Sequence, residues 1–324
     1  MQLNLPILDQ LKDAQNILIA GAGGGFDVFI GLPLYFALKK MGKTVHLANY
    51  SFCDLDLSKR LMNDHVELLK DQVLGVRGTV NFPFIYFPEG YLAQWFKETH
   101  NEDVLVWMFT KCGSAPLKEA YLSLLKHLGK IDALILTDGG VDSLMRGDES
   151  GPGTLLEDTI SLAAVADLDI PIKLLVCSGF GTEVEEAVCH HHALENIAGL
   201  TKIGGFLGSC SLLPQMEEFQ FFEAACRYVW EQPDHHRSHI STRIIPAVHG
   251  EFGDFHMYRD NRHMNIFISP LMSLYWFFDA NKVIERSFLV PLFKETRSID
   301  QALRILMDFH DRHQPIRPRK NIPY

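Results

Sequence analysis

Three glycine-rich segments put carboxylates and hydroxyls where short apolar runs end. The first, Gly21-Ala-Gly-Gly-Gly25-Phe-Asp27, follows the run Asn-Ile-Leu-Ile-Ala and precedes an amphipathic stretch. Gly21, Gly23, Gly24 and Gly25 would let backbone N–H groups approach a phosphate or carboxylate, and a helix starting there favours negative charge. The spacing is not the dinucleotide fingerprint. G-x-G-x-x-G would need a glycine at Phe26, and the next strand ends in Asn49 and Tyr50 without an acidic ribose partner, so NAD is not the expected ligand. Asp27 lies inside the turn, where it would repel a bare pyrophosphate unless a cation or an amine stood between them. The plainer alternative is that Asp27 caps the helix and the glycines only shape the turn.

The second segment is Thr137-Asp-Gly-Gly-Val-Asp-Ser143, continued by Arg146, Asp148, Glu149 and Ser150-Gly-Pro-Gly153. Asp138, Asp142, Asp148 and Glu149 fall within twelve residues. Hard oxygen ligands on glycine turns suit Mg²⁺, or a substrate amine or hydroxyl. Asp138 and Asp142 are accordingly the candidate catalytic and metal-binding groups, with Gly139 and Gly140 opening the backbone beside them. Gly139 to Ser143 resembles the S-G-G-x-D-S loop of ATP pyrophosphatases that adenylate their substrates, with Asp138 standing where that family has its first serine. A solvated acidic turn with Asp142 as a helix cap is the alternative. The third segment, Cys177-Ser-Gly-Phe-Gly-Thr-Glu183, offers hydroxyls at Ser178 and Thr182 and close backbone approach at Gly179 and Gly181. Cys177 reads as an inert core thiol, because no activating base is identifiable. A fourth segment carries Lys111, either a phosphate partner or a surface lysine.

Nine of the fifteen histidines lie between residues 190 and 263, a local excess that raises the question of metal. No spacing matches a helical two-ligand motif, and adjacent side chains of the run His190-His-His192 point in different directions on a helix, so the run is not expected to chelate as a unit. Loop or acid/base roles are favoured. His249 is the preferred general acid or base, since it follows the strand-like run Ile244 to Val248 and is flanked by Gly250 and Glu251.

Loops of this kind need a rigid frame. Asn16–Ala20, Thr44–Ala48, Phe84–Phe87, Val104–Phe109, Ala133–Thr137 and Ile172–Cys177 read as buried strands, continuous in Ile, Leu and Val. Between them, Phe26–Met41, Ala115–Leu128, Thr154–Ala166 and Glu183–Ala198 carry apolar residues at helical spacing. This alternation predicts an α/β fold with a doubly wound, mostly parallel, Rossmann-like sheet, ligands gathering at the carboxyl ends of its strands. Later helices are expected at Met216–Trp230, Leu271–Asp279 and Ser298–His310, the last with a Ser298–Gln301 capping box. Residues 1–324 read as a single domain with an elaborated, partly helical C-terminal region, and a subdomain from about 200 is the alternative.

Composition sets the remaining bounds. With 30 basic and 40 acidic residues the net charge is −10, which argues against nucleic acid as a partner. The most apolar stretch, Ile266 to Phe278, is shorter than the roughly 20 residues a membrane helix needs and contains Pro270, so no membrane partner is expected; it reads as a strand running into a core helix. Six scattered cysteines without a C-x-x-C pair read as reduced thiols, and the N-terminus lacks signal-peptide features, so the expected location is cytoplasmic.

The chain also resembles an uncharacterised family catalogued as domain of unknown function 1152. The resemblance rests on Gly21-Ala-Gly-Gly-Gly-Phe-Asp27-Val, on Gly31-Leu-Pro33-Leu, on Asp138-Gly-Gly-Val-Asp142 with the segment Gly153 to Asp158, and on Ile268-Ser-Pro through Phe278-Asp279. Phe26 stands where the family's turn is expected to have glycine. The resemblance implies a fold and a site location and assigns no reaction. The residues themselves point to an enzyme that binds a phosphorylated or nucleotide-like small molecule in one cleft, with Mg²⁺ and a nucleotide as candidate cofactors and group transfer or ligation as the reaction. Metal-assisted hydrolysis using the acidic loop and His249, or a non-catalytic small-molecule sensor or assembly partner, are the competing expectations, and homo-oligomerisation is left open.

Overall fold

The computed structural model describes all residues except 1–5, 70–71, 83–85, 152, 184–187, 234–235, 259–265, 314 and 323–324. Nine strands form one sheet: β1 Asn16–Gly21, β2 Thr44–Tyr50, β3 Met62–Leu69, β4 Val73–Val80, β5 Val106–Phe109, β6 Ala133–Gly139, β7 Ile172–Ser178, β8 Phe206–Ser211 and β9 Leu274–Asp279. Their order is β3-β4-β5-β2-β1-β6-β7-β9-β8. The five central strands, β5-β2-β1-β6-β7, are all parallel. Antiparallel pairings extend the sheet at both edges. Residues beyond about 200 thus add β8 and β9 to the same sheet.

The continuous apolar runs are buried because both faces of the sheet are covered. Along β1, Ile17 and Ile19 join Phe29, Tyr35, Leu92 and Phe222 on one face. Leu18 and Ala20 join Tyr121, Leu124, Ile160 and Leu162 on the other, as the two-residue period of a strand requires. Chain connections run outward from β1 in both directions, so the strand order reverses between β1 and β6. Ligands bind at such a switch point in open α/β sheets.

Several elements differ from the sequence reading, each for a physical reason. The helix expected over Phe26–Met41 is two helices, Asp27–Ile30 and Leu32–Lys40, which meet at Gly31. A Cβ there would lie 2.5 Å from Ile19 Cγ2, so only glycine lets the chain cross β1 this closely. Residues 83–85 of the expected strand Phe84–Phe87 lie outside the described residues, and Tyr86 and Phe87 are not in a strand. Leu271–Asp279 is a 3-10 turn, Pro270–Ser273, followed by β9: the aromatic run Tyr275-Trp-Phe-Phe278 prefers a pleated surface to a helix. Ile266–Phe278 therefore runs from turn to strand. Ile244–Val248 closes the helix Ser241–Val248, with Pro246 inside it, and is not a strand. The helix expected from Glu183 begins at His190, after residues 184–187, which lie outside those described. The hairpin β3–β4 escaped the pattern because Asn63, Asp64, His65 and Glu67 break up the apolar positions of β3, and Gly75 and Gly78 interrupt β4. At the last helix, Ile299–Arg312, Ser298 Oγ accepts from Gln301 N at 3.2 Å, while Gln301 Oε1 returns to Arg297 N at 2.9 Å. Among the described residues no helix is long and apolar enough to cross a membrane.

Candidate functional site

The carboxyl ends of β1 and β6 open into a cleft of about 510 Å³. Its acidic floor starts with Asp27, in the first turn of the helix that follows the Gly21–Gly25 segment. Gly23 N donates to Asp27 Oδ2 at 2.6 Å, and Gly139 N donates to Asp27 Oδ1 at 3.1 Å. A Cβ on Gly23 would sit 2.8 Å from Asp27 Oδ2 and 3.0 Å from Asp158 Oδ2. The glycine turn therefore already holds an anion, and that anion is the chain's own Asp27. Gly24 and Gly25 take positive φ of 96° and 60° beneath the Phe52 ring, a conformation suited to glycine. Gly21 lies back from the cleft, where a Cβ would overlap the Asn49 side chain.

Asp138, at the end of β6, accepts through Oδ2 from Ser143 N at 3.3 Å and from the Ser143 hydroxyl. Asp142 Oδ2 accepts from Thr154 N and Thr154 Oγ1, each at 2.9 Å. Glu183 crosses from the β7 loop: Val141 N donates to its Oε2 at 2.6 Å, and its carboxyl is hydrogen-bonded to Asp142. Gly140, at φ 145°, leaves room for that carboxyl, since a Cβ there would lie 2.2 Å from Glu183 Cδ. The last member is Asp158, in the first turn of the helix Leu156–Val165 and only 3% exposed. Oxygens of Asp27, Asp138 and Asp158 come within 4.8 Å of one another, and Asp158 Oδ1 has no hydrogen-bond partner.

Burial dominates the electrostatics of this floor. It pushes Asp27 up to about 7 against the opposing amides of Gly23 and Gly139, with the charge of Asp142 adding to the rise. Asp138 is pushed well above the carboxylate range, first by burial and then by Asp142 and Asp27. Asp158 and Glu183 shift the same way by burial and by their acidic neighbours, and burial also raises Asp142. Among the described residues no lysine, arginine or histidine forms an ion pair with any of the five. Two compensations exist for such a group: protons or a metal cation.

The rim has the opposite character. Lys111, His236, Arg237 and His239 line it beside Phe52 and Tyr86. Lys111 Nζ lies 2.9 Å from Glu157 Oε1 and 4.3 Å from the Phe52 ring centroid. A ligand in this cleft meets carboxylates below and cationic and aromatic groups above.

The structure thus brings Gly23, Gly24, Gly25, Asp27, Asp138, Gly139 and Asp142 to one cleft. It does not bring the third segment there except through Glu183. Thr182 Oγ1 turns back onto Gly179 O at 2.7 Å, and Thr182 O accepts from Arg243 Nη1. Ser178 is buried beneath the site, and Gly181 faces His190. Cys177 is buried with its thiol pushed well up by burial and then by Asp138, as an inert thiol should be. His249 is displaced altogether. Because Ile244–Val248 is helical, His249 caps that helix, 44% exposed, with Nε2 2.8 Å from Glu223 Oε2; the start of the same segment, His236 to Ile240, faces the cleft instead. Asp148 and Glu149 leave the site as well and pair with Arg317. Asp158 and Glu183 are the groups that sequence reasoning missed. The available signal was the downstream stretch Gly153 to Asp158, which stands within reach of Asp142 once Thr154 binds it.

A family model described as "Protein of unknown function (DUF1152)" matches residues 89–310. The matched span holds Asp138, Asp142, Asp158 and Glu183 and starts after Asp27. No curated protein and no solved structure matches the chain.

Proposed function

Since the chain belongs to the family described as protein of unknown function DUF1152, the reaction has to be read from the cleft, and we propose that it is an enzyme of Mg²⁺-assisted group transfer or ligation on a phosphorylated or nucleotide-like small molecule. One observation carries this reading: Asp27, Asp138 and Asp158 converge within 4.8 Å, buried, with Asp158 Oδ1 unpartnered and, among the described residues, no ion pair to neutralise them. Three all-oxygen ligands suit Mg²⁺, which keeps other positions for water and substrate oxygens. Each Asp27 oxygen accepts one backbone amide and retains a lone pair, so the turn fixes the ligand without consuming it. Bound Mg²⁺ would supply Lewis-acid polarisation of a phosphoryl oxygen and neutralise developing charge.

The remaining residues act around that centre. Lys111 and Arg237 stand on the rim to hold the anionic part of the substrate that the floor would otherwise repel. Proton transfer falls to His236 or His239, which occupy the position that the sequence assigns to His249. Ser143 locks Asp138 by hydrogen bonds, as an outer partner of a metal ligand does, and Thr154 fixes Asp142 beside the ligand set.

The test is calorimetric titration of Mg²⁺, alone and with ATP as phosphate probe, into wild type and Asp158→Asn. Asparagine is near-isosteric with the protonated acid that burial favours, so the fold should persist. Mg²⁺ affinity should fall by at least the roughly 10–100-fold typical of losing a supporting partner. Unchanged Mg²⁺ binding in Asp158→Asn would reduce the floor to a proton-sharing structural cluster.

A further inference from the structure

A second set of metal-ligating side chains lies on the helix His190–Lys202, away from the cleft. We propose that His191, His192 and Glu195 form a transition-metal site, of the Zn²⁺ class, that ties the C-terminal tail to this helix. One donor atom from each of the three lies within 4.8 Å of the others. Side chains of adjacent histidines diverge on a regular helix, so the run His190-His-His192 does not chelate as a unit without a further ligand. Here His191 and His192 both sit in the first turn, and Glu195, three and four residues on, closes the set from the same face.

The second, independent observation is the state of the imidazoles. His192 is 1% exposed, its Nε2 lies 2.9 Å from Pro318 O, and its Nδ1 has no hydrogen-bond partner. A carbonyl only accepts, so Nε2 carries the hydrogen and Nδ1 presents a lone pair. This is the arrangement of metal-bound histidines, whose second nitrogen donates to a carbonyl or carboxylate. His191 Nδ1 is likewise buried without a partner. Two buried imidazole nitrogens without a partner are costly unless a ligand engages them.

Glu195 is available as the third ligand. Arg317 Nη1 engages its Oε2 at 2.5 Å, which leaves Oε1, and Glu195 is partly exposed. A cavity of about 230 Å³ bounded by His190, His191, Arg319 and Lys320 reaches the site at His191. Those basic residues would discourage a weakly held hard cation, whereas imidazole ligation selects Zn²⁺, Ni²⁺ or Cu²⁺ by ligand type. This site is independent of the carboxylate floor, whose three converging ligands are all oxygens.

The experiment uses full-length, untagged protein stripped with chelator, then titrated with Zn²⁺ and, for its visible spectrum, with Co²⁺. One Zn²⁺ per chain is expected, with Co²⁺ showing ligand-field bands of a nitrogen-containing site and Zn²⁺ raising Tm. His191→Ala, at a half-buried position, and Glu195→Gln should each weaken Zn²⁺ at least tenfold and remove the Tm increment. Asp158→Asn should leave all three readouts as in wild type. Zn²⁺ binding that survives His191→Ala and Glu195→Gln overturns the proposal, as does Zn²⁺ binding abolished by Asp158→Asn. Failure of Mg²⁺ to bind the floor would leave these outcomes untouched.

Discussion

Arg317→Ala should destabilise the chain by about 3 kcal/mol or more, on the order of 5 °C in Tm, because it strands a buried carboxylate. Arg317 is the shared cation of three acids: Nη2 lies 2.7 Å from Asp148 Oδ1 and also binds Glu149 Oε1, while Nη1 reaches Glu195. Glu149 is fully buried, at 0% exposure. It also accepts from Arg146 N at 3.0 Å, Gly147 N at 2.8 Å and Asn196 Nδ2 at 2.9 Å, so the carboxylate cannot swing out to water without breaking a loop. The tail is clamped by backbone too, through Arg317 N to Asp148 O at 2.7 Å and Ser150 N to Arg317 O at 2.9 Å. Arg317→Lys keeps the charge but loses the fork that serves several carboxylates at once, so its Tm should fall between those of wild type and Arg317→Ala. Thermal melts of the three proteins at neutral pH check this. A Tm for Arg317→Ala within 1 °C of wild type would show that the Glu149 amide contacts suffice alone.

The same residues show what a linear reading can and cannot reach. Asp27, Asp138 and Asp142 were legible because each stands within two residues of a glycine in a loop that follows an apolar run, and the doubly wound order places those ends together. Asp148 and Glu149 share that loop but face the other way, toward a tail cation about 170 residues later; spacing along one loop carries no information about which side of the sheet a carboxylate faces. Asp158 was hidden by an ordinary role, since an acid in the first turn of a helix already has a partner in the macrodipole. Glu183 was hidden by the hydroxyls before it, and Thr182 spends its own on Gly179 O. The glycines were recognised for their open backbone amides, and within the chain two of those amides serve a carboxyl of its own. They do admit an anion to the backbone amides, but Gly23 and Gly139 serve Asp27, a group only four residues from one and over a hundred from the other. His249 failed for a local reason: Ile244–Val248 is apolar on all sides, a pattern shared by a buried strand and a buried helix, and only the helical answer turns His249 away from the cleft.

Chelated, metal-free protein should lose stability as pH rises from about 4 to 8, against the habit of acidic proteins. In the unfolded chain Asp27 titrates near its ordinary 3.8, and in the fold burial holds it at about 7. Between those values the folded state carries a proton that the unfolded state has released, so stability falls with rising pH across that window. Asp138, Asp158 and Glu183 are shifted in the same direction by burial and mutual repulsion, which deepens the loss. On the acid side Asp148 works in the opposite sense. Although burial opposes it, Arg317 holds its carboxyl below the ordinary value, a contribution that disappears as pH drops through the folded pKa. The metal-free protein should therefore have its highest Tm near pH 4 to 5. Mg²⁺ takes over the role of the protons, so a saturating concentration at pH 8 should restore most of the lost Tm and do little at pH 5. Binding at neutral pH should also release protons, seen as a calorimetric enthalpy that varies with the ionisation enthalpy of the buffer. Asp158→Asn removes one of the repelling carboxylates and should flatten the pH profile while abolishing the rescue. A Tm that climbs from pH 5 to 8 in chelator, or an equal Mg²⁺ increment at both pH values, would mean that the floor is already ionised and balanced without a cation, and the assignment of Asp27, Asp138 and Asp158 as metal ligands would fail with it.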